Sequence, residues 1–238
     1  MKSAFPGFSP DALTFLRNLK RNNRREWFQP RKEQYETLIR IPMLELIGQL
    51  NTAFSSFASS YVTDPQKSVF RIYRDTRFSH DKTPYKTHIA AIFPRNGAER
   101  MRGACFYFHF TDKELLAFGG VYHPEPDELV AYRALLGDHH AELEEILADK
   151  KLRRTVGRLQ GEQMSRTPKG YTPDHAAESL LRHRQWYLES ILDIKLLTTK
   201  RLLPVLADSF KVMAPFVEFM NRPFARKQKP AKMMFMGF

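Results

Sequence analysis

From Val69 to Lys86 the chain reads VFRIYRDTRFSHDKTPYK, which gathers Arg71, Arg74, Arg77, Lys82 and Lys86 around only two acids, Asp75 and Asp81; Arg95 follows as a sixth cation. Guanidinium and ammonium groups held this close repel one another unless acids or a bound anion compensate them. Two carboxylates offset only part of that charge. Arginine also offers a planar fork of donors that grips a phosphate or carboxylate through two bonds at once, which lysine cannot do. The chemistry these residue types suit is anion recognition. Arg71, Arg74 and Arg77 would serve as clamps, Lys82 and Lys86 as point charges, and Tyr85 as an orienting hydroxyl. Asp75 would position an arginine or act as a base, and Asp81 completes the set of ligand-binding candidates. The competing reading is a network of structural ion pairs with Asp75, Asp81 and the more distant Glu125, Asp127 and Glu128, since such networks gather charge as sites do. Asp75 with Asp81 is also the minimum for acid–base work or for holding magnesium, but their spacing across a bend fixes no geometry.

Other motifs carry less. Arg102–His109 has the look of an aromatic base-stacking strand, yet Ala104 and His109 stand where aromatics belong, and an ordinary core strand is the simpler reading. The histidines at 80, 88, 109, 123, 139, 140, 175 and 183 show no metal-ligand spacing, so neither metal nor cofactor is expected. There is no glycine-rich phosphate loop, nucleophile elbow or dinucleotide fingerprint. Cys105 reads as a small buried residue.

The elements that must position the basic segment follow from periodicity. A strand over residues 69 to 77 would put Val69, Arg71, Tyr73, Asp75 and Arg77 on one face, with Phe70 and Ile72 turned to the core on the other. Further β-rich runs fall at about 85 to 93, 102 to 110 and 115 to 122. Turns at 94 to 97 and 111 to 114 make the sheet largely antiparallel. Phe106, Phe108 and Phe110 suit the core face, which leaves Cys105, Tyr107 and His109 to share the polar face with the arginines; a slip of one residue would exchange the faces. Gly119-Gly120 marks a bulge or a close approach by a ligand or a helix.

Around this sheet, Ser9-Pro10-Asp11 starts a helix with Ser9 as its cap. A second helix is expected from about residue 30 to 54, kinked or split at Pro42. Asn22 to Phe28 reads as a polar turn anchored by Trp27 and Phe28, or else as a basic binding loop. Helical signals return at 127 to 136, 138 to 148 and 199 to 221, the last with Pro204 near its start and Pro215 as a kink. Residues 150 to 172 are strongly basic and read as a surface loop.

A chain of 238 residues with 42% apolar content can bury a full core, and one domain over residues 1 to 222 followed by a basic tail, 223 to 238, is the expected organisation. Its formal charge of +12 favours unspecific attraction to polyanions whatever the true ligand. One cysteine, no signal-peptide pattern and no apolar run long enough to span a bilayer lead to a soluble, cytoplasmic expectation.

The segment Arg71-x-x-Arg74-Asp75-x-Arg77-Phe78-Ser79-x-Asp81-Lys82-x-Pro84-Tyr85-Lys86 resembles the signature of domain of unknown function 2461, a widespread family of uncharacterised proteins. Phe5-Pro6-Gly7-Phe8, Arg25-Glu26-Trp27-Phe28, and Gly119-Gly120 with Pro124-Glu125-Pro126 are similar to that family too, so the likeness covers nearly the whole chain. Val121-Tyr122-His123 and the basic tail depart from the family pattern. The resemblance implies that the basic segment is a functional site without naming a reaction.

These readings converge on an α+β fold, an antiparallel sheet of about four or more strands packed by helices from both ends of the chain. The expected function is binding, with or without turnover, of a small phosphate- or carboxylate-bearing ligand at the Arg/Lys-rich segment. The alternatives are a nucleic-acid-binding module using diffuse positive charge over 17 to 32, 150 to 170 and the tail, and a non-catalytic scaffold held by its arginine network.

Overall fold

The computed structural model describes residues 4–224 apart from 97 and 99–101, so the basic tail beyond residue 224 lies outside the described residues. Helix α1, Pro10–Arg21, begins as its sequence dictates: the Ser9 hydroxyl accepts the Asp11 N–H at 3.1 Å and Pro10 fills the first turn, where no N–H is needed. Its inward face buries Ala12, Phe15, Leu16 and Leu19. Helical turns starting at Arg25 lead through a π turn, Glu36–Arg40, into α2, Ile41–Phe57. The kink expected at Pro42 takes that form because proline has no N–H to donate and its ring crowds the carbonyl four residues back. The helix widens by a residue just before it instead of breaking. The expected polar turn at 22 to 28 shrinks accordingly, with Arg25–Phe28 already helical.

Strands β1 (Ile89–Phe93), β2 (Cys105–Phe110), β3 (Leu115–Val121) and β4 (Trp186–Leu192) form one antiparallel sheet in that order. Phe106, Phe108 and Phe110 are fully buried on one face, as their spacing requires. Phe106 meets Phe54 of α2 at 5.2 Å and Phe210 of the C-terminal helix α5, Leu202–Met220, at 5.4 Å between ring centroids. Helices from both ends of the chain thus cover this face, and the fold is α+β. Gly119 and Gly120 mark close packing: a Cβ on Gly119 would stand 3.0 Å from Met213 and Val217 of α5, and one on Gly120, at φ +139°, would lie 2.4 Å from the Trp186 carbonyl. Between β3 and β4 the chain forms α3, Pro126–Ala148, bent at His139 just inside the second of the two helical stretches read from sequence, and α4, Lys150–Val156.

Three expectations fail. Residues 69 to 77 are not a strand; only Val69 bridges Ala91, and Tyr73 bridges Tyr85. The turn chemistry of the segment wins over its β propensity: the Asp75 carboxylate accepts the Arg77 N–H at 3.2 Å, and the Thr76 carbonyl accepts Ser79 N–H at 3.4 Å and Lys82 Nζ at 2.9 Å. The next strand starts at Ile89, not 85. Residues 150 to 156 are a helix rather than loop, because the Asp149 carboxylate caps it by accepting the Leu152 N–H at 2.7 Å. Strand β4 was not foreseen at all.

Two buried polar groups pin the chain entering β2. The Asn221 side chain, 2% exposed just past α5, accepts the Ala104 N–H at 3.0 Å and donates to the Ala104 carbonyl and the Tyr61 hydroxyl, each at 2.7 Å. The Glu128 carboxylate accepts the Gly103 N–H at 2.8 Å and the Glu125 N–H at 2.9 Å, closing the capping box of α3. Both outer edges of the sheet are met by short stretches of chain, residues 68 to 70 on β1 and Gln160 on β4. Phe70 N–H donates to Ala90 of β1 at 3.0 Å, and Gln160 exchanges bonds of 2.8 and 3.2 Å with Tyr187 of β4.

Candidate functional site at the open sheet face

The basic segment folds into an irregular hairpin lying beside β1. Arg74 N–H donates to Pro84 at 2.9 Å and Lys86 N–H to Ile72 at 2.8 Å, so residues 72 to 74 and 84 to 86 run side by side and 75 to 83 form the protruding loop. Its base is anchored by aromatic packing. Tyr85 is 1% exposed and its ring stacks on Phe28 at 4.2 Å, while the Asn23 side chain accepts the Tyr85 N–H at 3.0 Å and donates to its carbonyl at 2.8 Å. Tyr85 is therefore held inside the protein, not offered as a surface hydroxyl.

Within the loop, several charges find one another. Arg77 grips Asp75 through two bonds, 3.0 and 2.7 Å, and Arg74 pairs with Asp81 and Thr83. Arg95 turns to Glu218 at 3.4 Å. The arginine beside Asp75 holds its carboxyl down at about 2, and backbone and arginine bonds do the same for Asp81. An acid held that low is a poor proton acceptor at neutral pH, so Asp75 acts on Arg77 by position. Arg71 and Lys82 stay exposed, and Lys86 lays its ammonium over the Phe70 ring at 4.9 Å.

The sheet's second face carries a cleft of about 320 Å³ lined by Phe70, Tyr107, Phe118, Tyr122 and Tyr187, with Cys105, His109 and Glu189 among its polar members. β2 supplies Cys105, Tyr107 and His109 by strict alternation with the three buried phenylalanines, as the sequence foretold. None of the eight candidate residues of the basic segment lines the cleft. The two are joined through Phe70, which sits 6.1 Å from Tyr107 on one side and under Lys86 on the other. Phe70 was expected in the core; without a strand to fix its alternation, it turns to the open face instead.

A family model described as conserved hypothetical protein (DUF2461) matches residues 11–219. The chain belongs to the DUF2461 family. No curated protein matches it. In this DUF2461 chain the matched range includes the basic hairpin, the Arg25–Phe28 turn that stacks on it and the glycine pair beneath α5, and leaves out Phe5-Pro6-Gly7-Phe8.

The electrostatics of the cleft differ from those of the hairpin. Burial keeps His109 and its neighbour His88, 5.8 Å away, below the usual imidazole range, although Glu114 at 3.7 Å pulls His109 the other way. The Nδ1 of His109 is buried and has no hydrogen-bond partner among the described residues. Burial pushes the Cys105 thiol and the Tyr107 hydroxyl up to about 12, so both stay protonated and neither is a ready nucleophile. Among the described residues no three His, Cys, Asp or Glu side chains gather as a metal site, and no helix is long and apolar enough to cross a membrane. Sequence reasoning missed Tyr122, Tyr187 and Glu189 as cleft residues. Tyr187 and Glu189 do alternate in WYLESIL, a period-two signal that was there to be found.

Proposed function

We propose that this protein binds a small phosphate- or carboxylate-bearing molecule where the basic hairpin meets the open sheet face, with or without turnover, in the cytoplasm. The observation that carries this reading is the junction at Phe70, where the cleft and a basic loop share one side chain. Five cations stand against two acids between residues 71 and 86, and Arg71 and Lys82 are exposed. Arg71 and Lys86 take the role of anion contacts, while Arg74 and Arg77, tied to Asp81 and Asp75, shape the loop. The lone Cys105, unpaired, suits a reducing compartment.

The test is thermal unfolding against organic acids, sugar phosphates, nucleotides and short oligonucleotides, at low and high salt, with Lys86→Ala and Arg71→Ala alongside. A ligand that binds only the folded state raises the midpoint by mass action. A salt-tolerant rise with a small anion, lost in either variant, supports the reading; identical rises in wild type and both variants, or none with any small anion, sinks it. One observation favours nucleic acid as a second reading: Phe78 is 94% exposed in the hairpin loop with the Arg77 guanidinium 5.6 Å from its ring centre, the pairing of ring and cation that single strands stack on. That reading requires a rise with oligonucleotides alone, steeply weakened by salt and by Phe78→Ala.

A further inference from the structure

The walls of the cleft say more about its occupant than charge alone does. Its rings are turned against one another: Phe118 lies 5.0 Å from Tyr187 at 33°, Tyr122 meets Phe118 at 84° and Tyr187 at 62°, and Tyr107 stands at 90° to Phe118. Ring faces are electron-rich and ring edges electron-poor, so walls set at such angles offer both kinds of contact to one further ring placed among them. A saturated body of equal size would gain the apolar burial and forgo the ring contacts. The volume, about 320 Å³, is at the small end of ligand pockets and suits one ring or two fused rings carrying a short substituent. Polar capacity is present on the same floor. Glu189 can accept from a ring N–H, and the His109 ring lines the cleft beside it. At one rim Lys86 lies over Phe70.

Resting on the anion-binding reading above, we infer that the ligand carries a planar aromatic or heteroaromatic ring that lodges among Tyr107, Phe118, Tyr122 and Tyr187, with its anionic substituent directed to Lys86 at the Phe70 rim. The occupant is a small molecule, since a cleft of about 320 Å³ has no room for a strand or helix.

Calorimetric titration with matched probes separates ring from charge. Naphthalene-2-carboxylate is compared with its decahydro counterpart and with naphthalene-2-carboxamide, and adenosine monophosphate with ribose 5-phosphate and adenosine. The inference expects each aromatic anion to bind about tenfold or more tighter than its ring-free or saturated partner, in keeping with the worth of one stacked ring. Tyr187→Leu should erase that margin, and Lys86→Gln should weaken only the charged probes. Tyr122→Leu, at a half-exposed position, replaces Tyr187→Leu if the latter does not fold. Equal binding of saturated and aromatic anions overturns the ring inference and leaves the anion reading standing. Equal binding of charged and neutral aromatics, unmoved by Lys86→Gln, overturns the anion reading and keeps the ring. Failure of all six probes overturns both, and sedimentation that finds a dimer broken by Tyr122→Leu would assign the face to a second copy of this chain.

Discussion

Asp75 and His109 illustrate two opposite ways in which a neighbourhood sets a side chain's charge. Asp75 and Asp81 are exposed and held down by arginine and backbone donors, so their folded-state values of about 2 lie below the ordinary 3.8. Their stabilising effect is fully present above about pH 4 and is lost as pH falls toward 2. Carboxylate NMR titration should find both midpoints well under 3.8, and Arg77→Gln should return Asp75 toward it. His109 is depressed by burial, so the unfolded chain binds its proton first and stability falls as pH drops below about 6.5. The groups facing it are Glu114, Glu189 and His88, and the last contributes with the same sign. Unfolding midpoints measured from pH 7.5 to 5.5 should decline, and His109→Gln should flatten that decline. The two windows do not overlap, so Arg77→Gln and His109→Gln are each read against wild type in a range of their own. The residue types were readable from sequence; the partner each arginine takes was not, because pairing depends on how the 75 to 83 loop turns.

At the scale of elements, the hairpin owes its place to helical turns distant in sequence. Asn23 holds the Tyr85 backbone by two bonds and Phe28 stacks on its ring. Asn23→Ala should cost about 1–3 kcal/mol, the usual worth of two such bonds when one buried partner is left unmet. Limited proteolysis should then cut the 75 to 83 loop sooner than in wild type. The faces of β2 were legible because three phenylalanines alternate with Cys105, Tyr107 and His109, a pattern only a strand reconciles. The 69 to 77 segment misled for a physical reason: its β-branched and aromatic start promises a strand, yet Asp75, Thr76 and Ser79 offer the backbone side-chain and turn partners that compete with a ladder. β4 was masked because Leu188 and Glu189, good helix formers, sit in the middle of its period-two run, and pairing with β3 decides for the strand.

For the whole molecule, the α+β class and helices from both chain ends followed from pattern alone, while the lock that joins them did not. Asn221 is one polar residue after an apolar helix, and nothing in sequence announces that it satisfies Ala104 and Tyr61 more than a hundred positions earlier. Asn221→Ala leaves those buried groups unmet and should lower stability by about 2–4 kcal/mol, measured by denaturant unfolding. The single-residue bridges at Val69 and Gln160 have a consequence for life in concentrated solution. A sheet whose flanks stay open is a template that other chains can extend, the route by which folded proteins seed fibrils. Here each flank is stoppered by a short stretch of the chain itself, one of them part of the basic hairpin's own base. Replacing residues 158 to 163 with a Gly/Ser linker should therefore leave most of the core intact, yet produce a protein that clouds on standing, with light scattering and thioflavin fluorescence rising as the bared β4 flank recruits its neighbours.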